Sequence, residues 1–155
     1  MYDTDAAGIL YFGSQFRFAH DAFETVMAKE GLTFHRFFES EPFLFVIVHA
    51  ESDYFSSLHV GDDITVQLVV DHIGTTSFRI SYTIAKSAMV VGKVQTTHVC
   101  VNKVTRKKQP LPVEPLIFSA PKDPLPIPKI INAIRKCFIT YSWSQWLPLG
   151  SLFPL

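Results

Sequence analysis

The sequence predicts an α+β domain in which one long helix lies against an antiparallel sheet. Three observations carry that prediction. A helical apolar period runs through a single N-terminal stretch. From Pro42 the period changes to two and holds over several stretches. Short links join those stretches, and a parallel return would need a crossover of about a dozen residues or more. At 155 residues, with 48% hydrophobic and 14% aromatic side chains, the chain is long enough to bury one core.

Residues 13–30 read as the helix. Phe16, Ala19, Phe23, Val26 and Met27 recur at helical spacing, while Arg17, Asp21, Glu24, Thr25 and Lys29 face away. Ser14 is placed to cap its start and Gly31 to stop it. "PFLFVIVHAESDYF" begins as a continuous apolar run and ends alternating, the pattern of a buried strand that reaches solvent. "DITVQLVVD" puts Ile64, Val66, Leu68 and Val70 on one face, and "SFRISYTIA" does the same with Phe78, Ile80, Tyr82 and Ile84. His72–Thr75, with Gly74, joins these two as a hairpin. "VVGKVQTTHVCVNKV" is a further long strand, entered at Gly92. After Lys108 the composition shifts: seven of the ten prolines fall in "QPLPVEPLIFSAPKDPLPIPK", which suits neither a central strand nor a helix interior. Two regions are therefore expected, a folded domain over 1–112 and a proline-rich arm with an unassigned tail over 113–155. The last segment is read as a short helix followed by an aromatic, patternless end. A chain ending near Val113 is expected to keep its fold and turnover.

Lys plus Arg equals Asp plus Glu at 14 each, so bulk charge gives no reason to expect a nucleic-acid partner. Cys100 and Cys137 lack metal-ligand spacing, and a reduced cytoplasmic protein fits them better than a disulfide. No basic segment followed by an apolar one opens the chain, so no signal peptide is expected. Residues 137–155 are uncharged, but their Ser, Gln, Gly and Pro content makes them a poor membrane span.

The opening "MYDTDAAGILYF" places Asp3 and Asp5 ahead of a small-residue turn and a helix start. A helix N-terminus offers free N–H groups and a dipole that favour developing negative charge. A carboxylate beside such amides suits acyl transfer or hydrolysis. Taken by themselves, the same residues are more simply turn and capping groups. His20 and Glu24, four apart, read as a solvated helix pair. "NKVTRKKQ" fits either a phosphate clamp or a solvated turn, and the solvated turn is the commoner use of such a charge run. There is no G-x-S-x-G, no phosphate-binding glycine loop and no H-E-x-x-H.

"DTDAAGILYF" followed by an amphipathic helix resembles the signature of hotdog-fold acyl-CoA thioesterases of the 4-hydroxybenzoyl-CoA thioesterase type. "AESDYFSSLHVGDDITVQLVV", with Tyr54 and Gly61-Asp62, is similar to the family's strand-end tyrosine and Gly-Asp turn. "GTTSFRISYTI" and "GKVQTTHVCVNKVTRKKQPLP" resemble its last two long strands and basic exit, so the likeness covers residues 1–112. It implies the hotdog fold, a long helix wrapped by a curved antiparallel sheet. It also implies a homodimer or homotetramer with sites at subunit interfaces. In the family another strand precedes the motif; here Met1 stands where that strand would be ending.

By residue match, Asp5 takes the catalytic carboxylate position. Tyr11 and Phe12 match the helix start whose backbone N–H polarises the thioester carbonyl. Arg106, Lys107 and Lys108 resemble segments that contact coenzyme A phosphates. The implied reaction is hydrolysis of an acyl- or aromatic-acyl-CoA, with Asp5 as general base or nucleophile. No metal and no cofactor are expected beyond the coenzyme A of the substrate, and no nucleic-acid partner or membrane span. The competing expectation is a non-catalytic acyl-CoA-binding hotdog subunit. A hotdog hydratase is disfavoured by the lack of a D-x-N-x-x-H helix.

Overall fold

The computed structural model describes residue 5, residues 8–29, 38–39 and 41–112, and the backbone of 137–142. The helix α1 spans Ser14–Lys29, and five strands follow: β1 Phe43–Tyr54, β2 Asp63–Ile73, β3 Ser77–Lys86, β4 Met89–Asn102 and β5 Cys137–Ser142. They form one sheet in the order β1-β4-β3-β2-β5, with every neighbouring pair antiparallel. The expected helix-on-antiparallel-sheet arrangement is therefore what the chain adopts.

The helix buries Phe18, Ala19, Ala22, Phe23, Val26 and Met27 against the sheet. Its facing residues come from alternate positions of the strands: Ile64, Val66 and Leu68 from β2, and Phe78, Ile80, Tyr82 and Ile84 from β3. Each large side chain fully buried this way contributes about 1.5–3 kcal/mol before entropy is counted. Phe16, expected on the buried stripe, sits at its shoulder and is only partly buried, while Gln15 takes the buried place. The β2–β3 hairpin closes where expected, with Gly74 N donating to Ser77 O at 2.7 Å. Between β3 and β4 the chain turns through Ser87 and Ala88, both at positive φ (47° and 69°), with Lys86 paired to Met89. Both central residues at positive φ match the twist of the flanking strands, which is why a two-residue turn works there without glycine.

Two elements differ from the sequence expectation. β1 is not buried along its apolar run. Phe43 and Leu44 are covered, but Val46, Ile47 and Val48 are 42%, 45% and 58% exposed. The reason is position: β1 is an edge strand paired only with β4, and it bulges between Ile47 and His49. The second difference lies beyond residue 112. Cys137–Ser142 fall in the segment expected to stand apart, yet they pair with β2 from Leu68 back to Asp63. A chain ended near Val113 would lose this strand and leave the β2 edge open. The short helix expected just before this strand lies outside the described residues, as do Asp3 and the side chain of Cys137. Cys100 is a buried free thiol in the core, held above its usual pKa range by burial.

Candidate active site

The loop before α1 is closed by its own backbone. Asp5 N donates to Ile9 O at 2.9 Å and Gly8 N to Asp5 O at 3.0 Å. Gly8 sits at φ +73°, a conformation that side-chain-bearing residues seldom take, and this allows the tight return. The loop is then pinned to the segment after β1: Ile9 bridges His59, and Leu10 N donates to Leu58 O at 2.9 Å. The Asp5 side chain is exposed, and its Oδ1 lies 3.3 Å from Ile9 N. The carboxylate thus has solvent access beside the Ile9 backbone.

Tyr11 and Phe12 form the turn into the helix, closed by Ser14 N donating to Tyr11 O at 2.9 Å. Their rings touch at a centroid distance of 4.5 Å, and Phe12 is 63% exposed. Tyr54, at the end of β1, donates its hydroxyl to Phe12 O at 2.5 Å and so ties the turn to the sheet. Among the described residues, neither Tyr11 N nor Phe12 N has an acceptor. Both amides belong to the turn ahead of α1, which itself begins at Ser14, and they remain available to an incoming acceptor.

Beside this turn lies a cavity of about 280 Å³. Ile9 and Leu10 of the loop, Gln15 of α1 and the segment Tyr54–Leu58 line it. Asp5 is not part of the wall, but the loop it anchors is. The volume is near the lower end of ligand pockets, about 300 Å³, and so suits a single acyl group more than a whole coenzyme A ester.

The third expected group lies elsewhere. Arg106, Lys107 and Lys108 are exposed on the turn after β4. Asn102 organises that turn, its Oδ1 accepting from Val104 N at 3.0 Å and Thr105 N at 2.9 Å. Lys103, from the same run, donates to Phe38 O. Asn102 pairs with Phe43 at one end of β1, whereas Gly92 pairs with Tyr54 at the cavity end. At about 3.3 Å per residue, the basic turn is on the order of 30 Å from the cavity along β4. Within one chain, Asp5 and the Tyr11–Phe12 turn share the segment that leads into α1, and the basic cluster lies at the other end of β4. His20 and Glu24 pair at 2.9 Å on the exposed face of α1, away from the cavity, as a solvated pair should.

Sequence reasoning missed the polar wall of the cavity. Gln15 is 1% exposed, and its Oε1 accepts from Ser52 Oγ at 3.0 Å. The available signal was Gly92, a glycine within a long strand, which marks a place where another group approaches the backbone closely. A Cβ there would lie 2.5 Å from the Gln15 amide.

The sequence pattern of the thioesterase-like superfamily matches residues 1–125. The 1,4-dihydroxy-2-naphthoyl-CoA hydrolase of Nostoc punctiforme is 37% identical over 112 residues, covering 72% of this chain and 76% of that protein. The 1,4-dihydroxy-2-naphthoyl-CoA hydrolase of Thermosynechococcus vestitus is 32% identical over 125 residues, covering 78% and 85%. Among solved structures, a 1,4-dihydroxy-2-naphthoyl-CoA thioesterase from Synechocystis aligns with a TM-score of 0.67 at 34% identity, covering 72% of this chain and 83% of that one. With the opening loop, the long helix and the antiparallel sheet in agreement, the chain belongs to the thioesterase-like superfamily and carries its hotdog fold.

Proposed function

We propose that this protein hydrolyses the thioester of an aromatic acyl-CoA, with a hydroxylated naphthoyl group as the leading candidate. The observation that carries the reading is one short loop holding both parts of the chemistry: the solvent-facing Asp5 carboxylate and the acceptor-free amides of Tyr11 and Phe12. The likeness to 1,4-dihydroxy-2-naphthoyl-CoA hydrolases supports the choice of acyl group. The acyl group would enter the cavity with its carbonyl oxygen toward the Tyr11 and Phe12 amides of the turn before α1, which stabilise the oxyanion that forms on attack. Asp5 either draws a proton from the attacking water or attacks the carbonyl carbon itself, giving an acyl–carboxylate anhydride that water then opens. On either route one water is consumed, the C–S bond breaks, and an acid and the coenzyme A thiol leave.

The separation between cavity and basic turn fits a site shared between subunits. Antiparallel pairing of two β1 edges about a twofold axis would lay the Tyr54 end of one strand beside the Phe43 end of its partner. Arg106, Lys107 and Lys108 of one copy would then serve the coenzyme A phosphates of the other, in a homodimer or a homotetramer built from it. We place the reaction in the cytoplasm, because a coenzyme A ester carries several charges that a bilayer does not pass. Among the described residues, no helix is long and apolar enough to cross a membrane.

The reading is tested by thiol release from a panel of hydroxynaphthoyl-, benzoyl-, short-chain and long-chain acyl-CoAs. The hydroxynaphthoyl ester should give the highest kcat/KM. Binding without turnover of any ester would instead establish an acyl-CoA-binding subunit. The shared site has its own check. Replacing Arg106, Lys107 and Lys108 together with alanine should raise KM and flatten its salt dependence more than it lowers kcat. Light scattering on the same preparation should find a dimer or tetramer. An active monomer with unchanged KM overturns the shared site and leaves the cluster as solvated surface.

A further inference from the structure

Gln15 is an unexpected residue to bury. It stands in the first turn of α1, where a glutamine ordinarily faces water, yet it is 1% exposed and lines the cavity. Its Oε1 accepts from Ser52 Oγ of β1 at 3.0 Å. Among the described residues, its Nε2 has no acceptor. With no protein acceptor and a place on the cavity wall, this amide keeps donor capacity for a group that enters the cavity.

The space for the amide is provided by Gly92 of β4. A Cβ at that position would come within 2.5 Å of both Gln15 Nε2 and Oε1. Three elements therefore fix one amide: α1 carries it, β1 bonds it through Ser52, and β4 leaves room for it. Around it the cavity wall carries the apolar Ile9, Leu10, Phe55 and Leu58 and the polar Tyr54, Ser56 and Ser57. An amide fixed from three sides in such a mixed wall gives orientation and selectivity.

We propose that Gln15 is a specificity-determining residue whose side-chain amide hydrogen-bonds an oxygen substituent on the ring of the acyl group. The inference rests on the aromatic acyl-CoA reading above and names the part of the substrate that the cavity recognises. The N–H donates to a ring hydroxyl or ring-borne oxygen next to the thioester. With the amide turned over, Ser52 Oγ would accept from Nε2 and Oε1 would accept the hydroxyl proton, so the same substituent is read. An apolar pocket discriminates poorly against an added hydroxyl, whereas a site built to bond one rejects the analogue without it.

The test compares kcat/KM for matched esters: 1-hydroxy-2-naphthoyl-CoA against 2-naphthoyl-CoA, and 2-hydroxybenzoyl-CoA against benzoyl-CoA. The wild type should favour the hydroxylated member of each pair. Gln15→Leu should lower kcat/KM on the hydroxylated esters by about tenfold or more and on the plain esters by less than about threefold. Gly92→Ala, which pushes the amide aside without removing it, should shift selectivity the same way and serves if Gln15→Leu does not fold. Equal losses on both members of a pair, with a lowered melting temperature, would show that Gln15 only holds the helix to β1 and would overturn the inference. So would a wild type that hydrolyses these esters without preferring the hydroxyl. A wild type that hydrolyses no acyl-CoA at all overturns the thioesterase reading instead.

Discussion

Asp5→Asn should leave the fold intact and cut kcat by at least about a hundredfold, the lower end of what general-base catalysis contributes. The side chain is exposed, so an amide of the same size costs little in burial. The local contact also survives, because the amide oxygen accepts from Ile9 N as the carboxylate does now at 3.3 Å. What is lost is the charge: an amide neither deprotonates water nor attacks a thioester. Single-turnover kinetics, with acyl-CoA binding measured separately, should show near-normal affinity and a collapsed chemical step. Glu24→Gln is the matched control. Glu24 is half-exposed in its pair with His20, and its loss should change kcat by less than about twofold, in line with the small worth of such pairs. Normal turnover in Asp5→Asn would remove Asp5 from the mechanism even if the protein is a thioesterase.

The second large effect is on stability in mild acid. His98 is buried in the core with its ring stacked on Phe78 at 4.9 Å and tilted against Phe23 at 5.2 Å. Its Nε2 lies 2.9 Å from Thr96 Oγ1, which in turn meets Tyr82 OH at 3.3 Å. Burial, aided by the nearby His20, lowers its pKa from 6.5 to about 4. The unfolded chain therefore binds a proton near pH 6.5 that the folded chain refuses until about pH 4. Its share of stability is whole above pH 6.5 and is lost progressively as pH falls to about 4, a total of about 3 kcal/mol. Asp62 and Asp71 have carboxyls held below their ordinary 3.8, so their shares are lost mainly below this window. Urea midpoints measured from pH 7.5 to 4.5 should fall steadily in the wild type. His98→Gln should be less stable at neutral pH and flatter with pH, and equal slopes in the two proteins would exclude His98 as the acid-sensitive group.

The elements that were legible in the sequence are those whose cover is built into their own pattern. The helix stripe and the alternating faces of β2 and β3 announce themselves, because helix and sheet bury each other. The apolar run of β1 was read as buried for the same reason, and wrongly. Pattern shows which residues prefer cover, while edge position decides which receive it. β5 was missed because "CFITYS" is short, follows a proline-rich stretch, and has its partner strand far back in the chain. Gln15 looked like a surface residue, since helix propensity and polarity say nothing of a facing glycine on β4. Asp5 stood out only through the resemblance of its loop; its spacing alone fits a turn. The basic turn was legible as a cluster, but its distance from the cavity depends on strand register, which composition does not encode.

The β2–β5 pairing has a consequence for how the protein is made. Paired residues such as Leu68 and Cys137 are roughly seventy positions apart, whereas the β2–β3 and β3–β4 contacts are local, and distant pairings form late because loop closure precedes their reward. During translation, α1 and β1 to β4 leave the ribosome well before residues 137–142. For that interval the nascent sheet carries an open β2 flank, a ready template for pairing with another chain. Yield in a cell would then depend on elongation rate and chaperone access over the stretch between β4 and β5 as much as on the strength of the finished core.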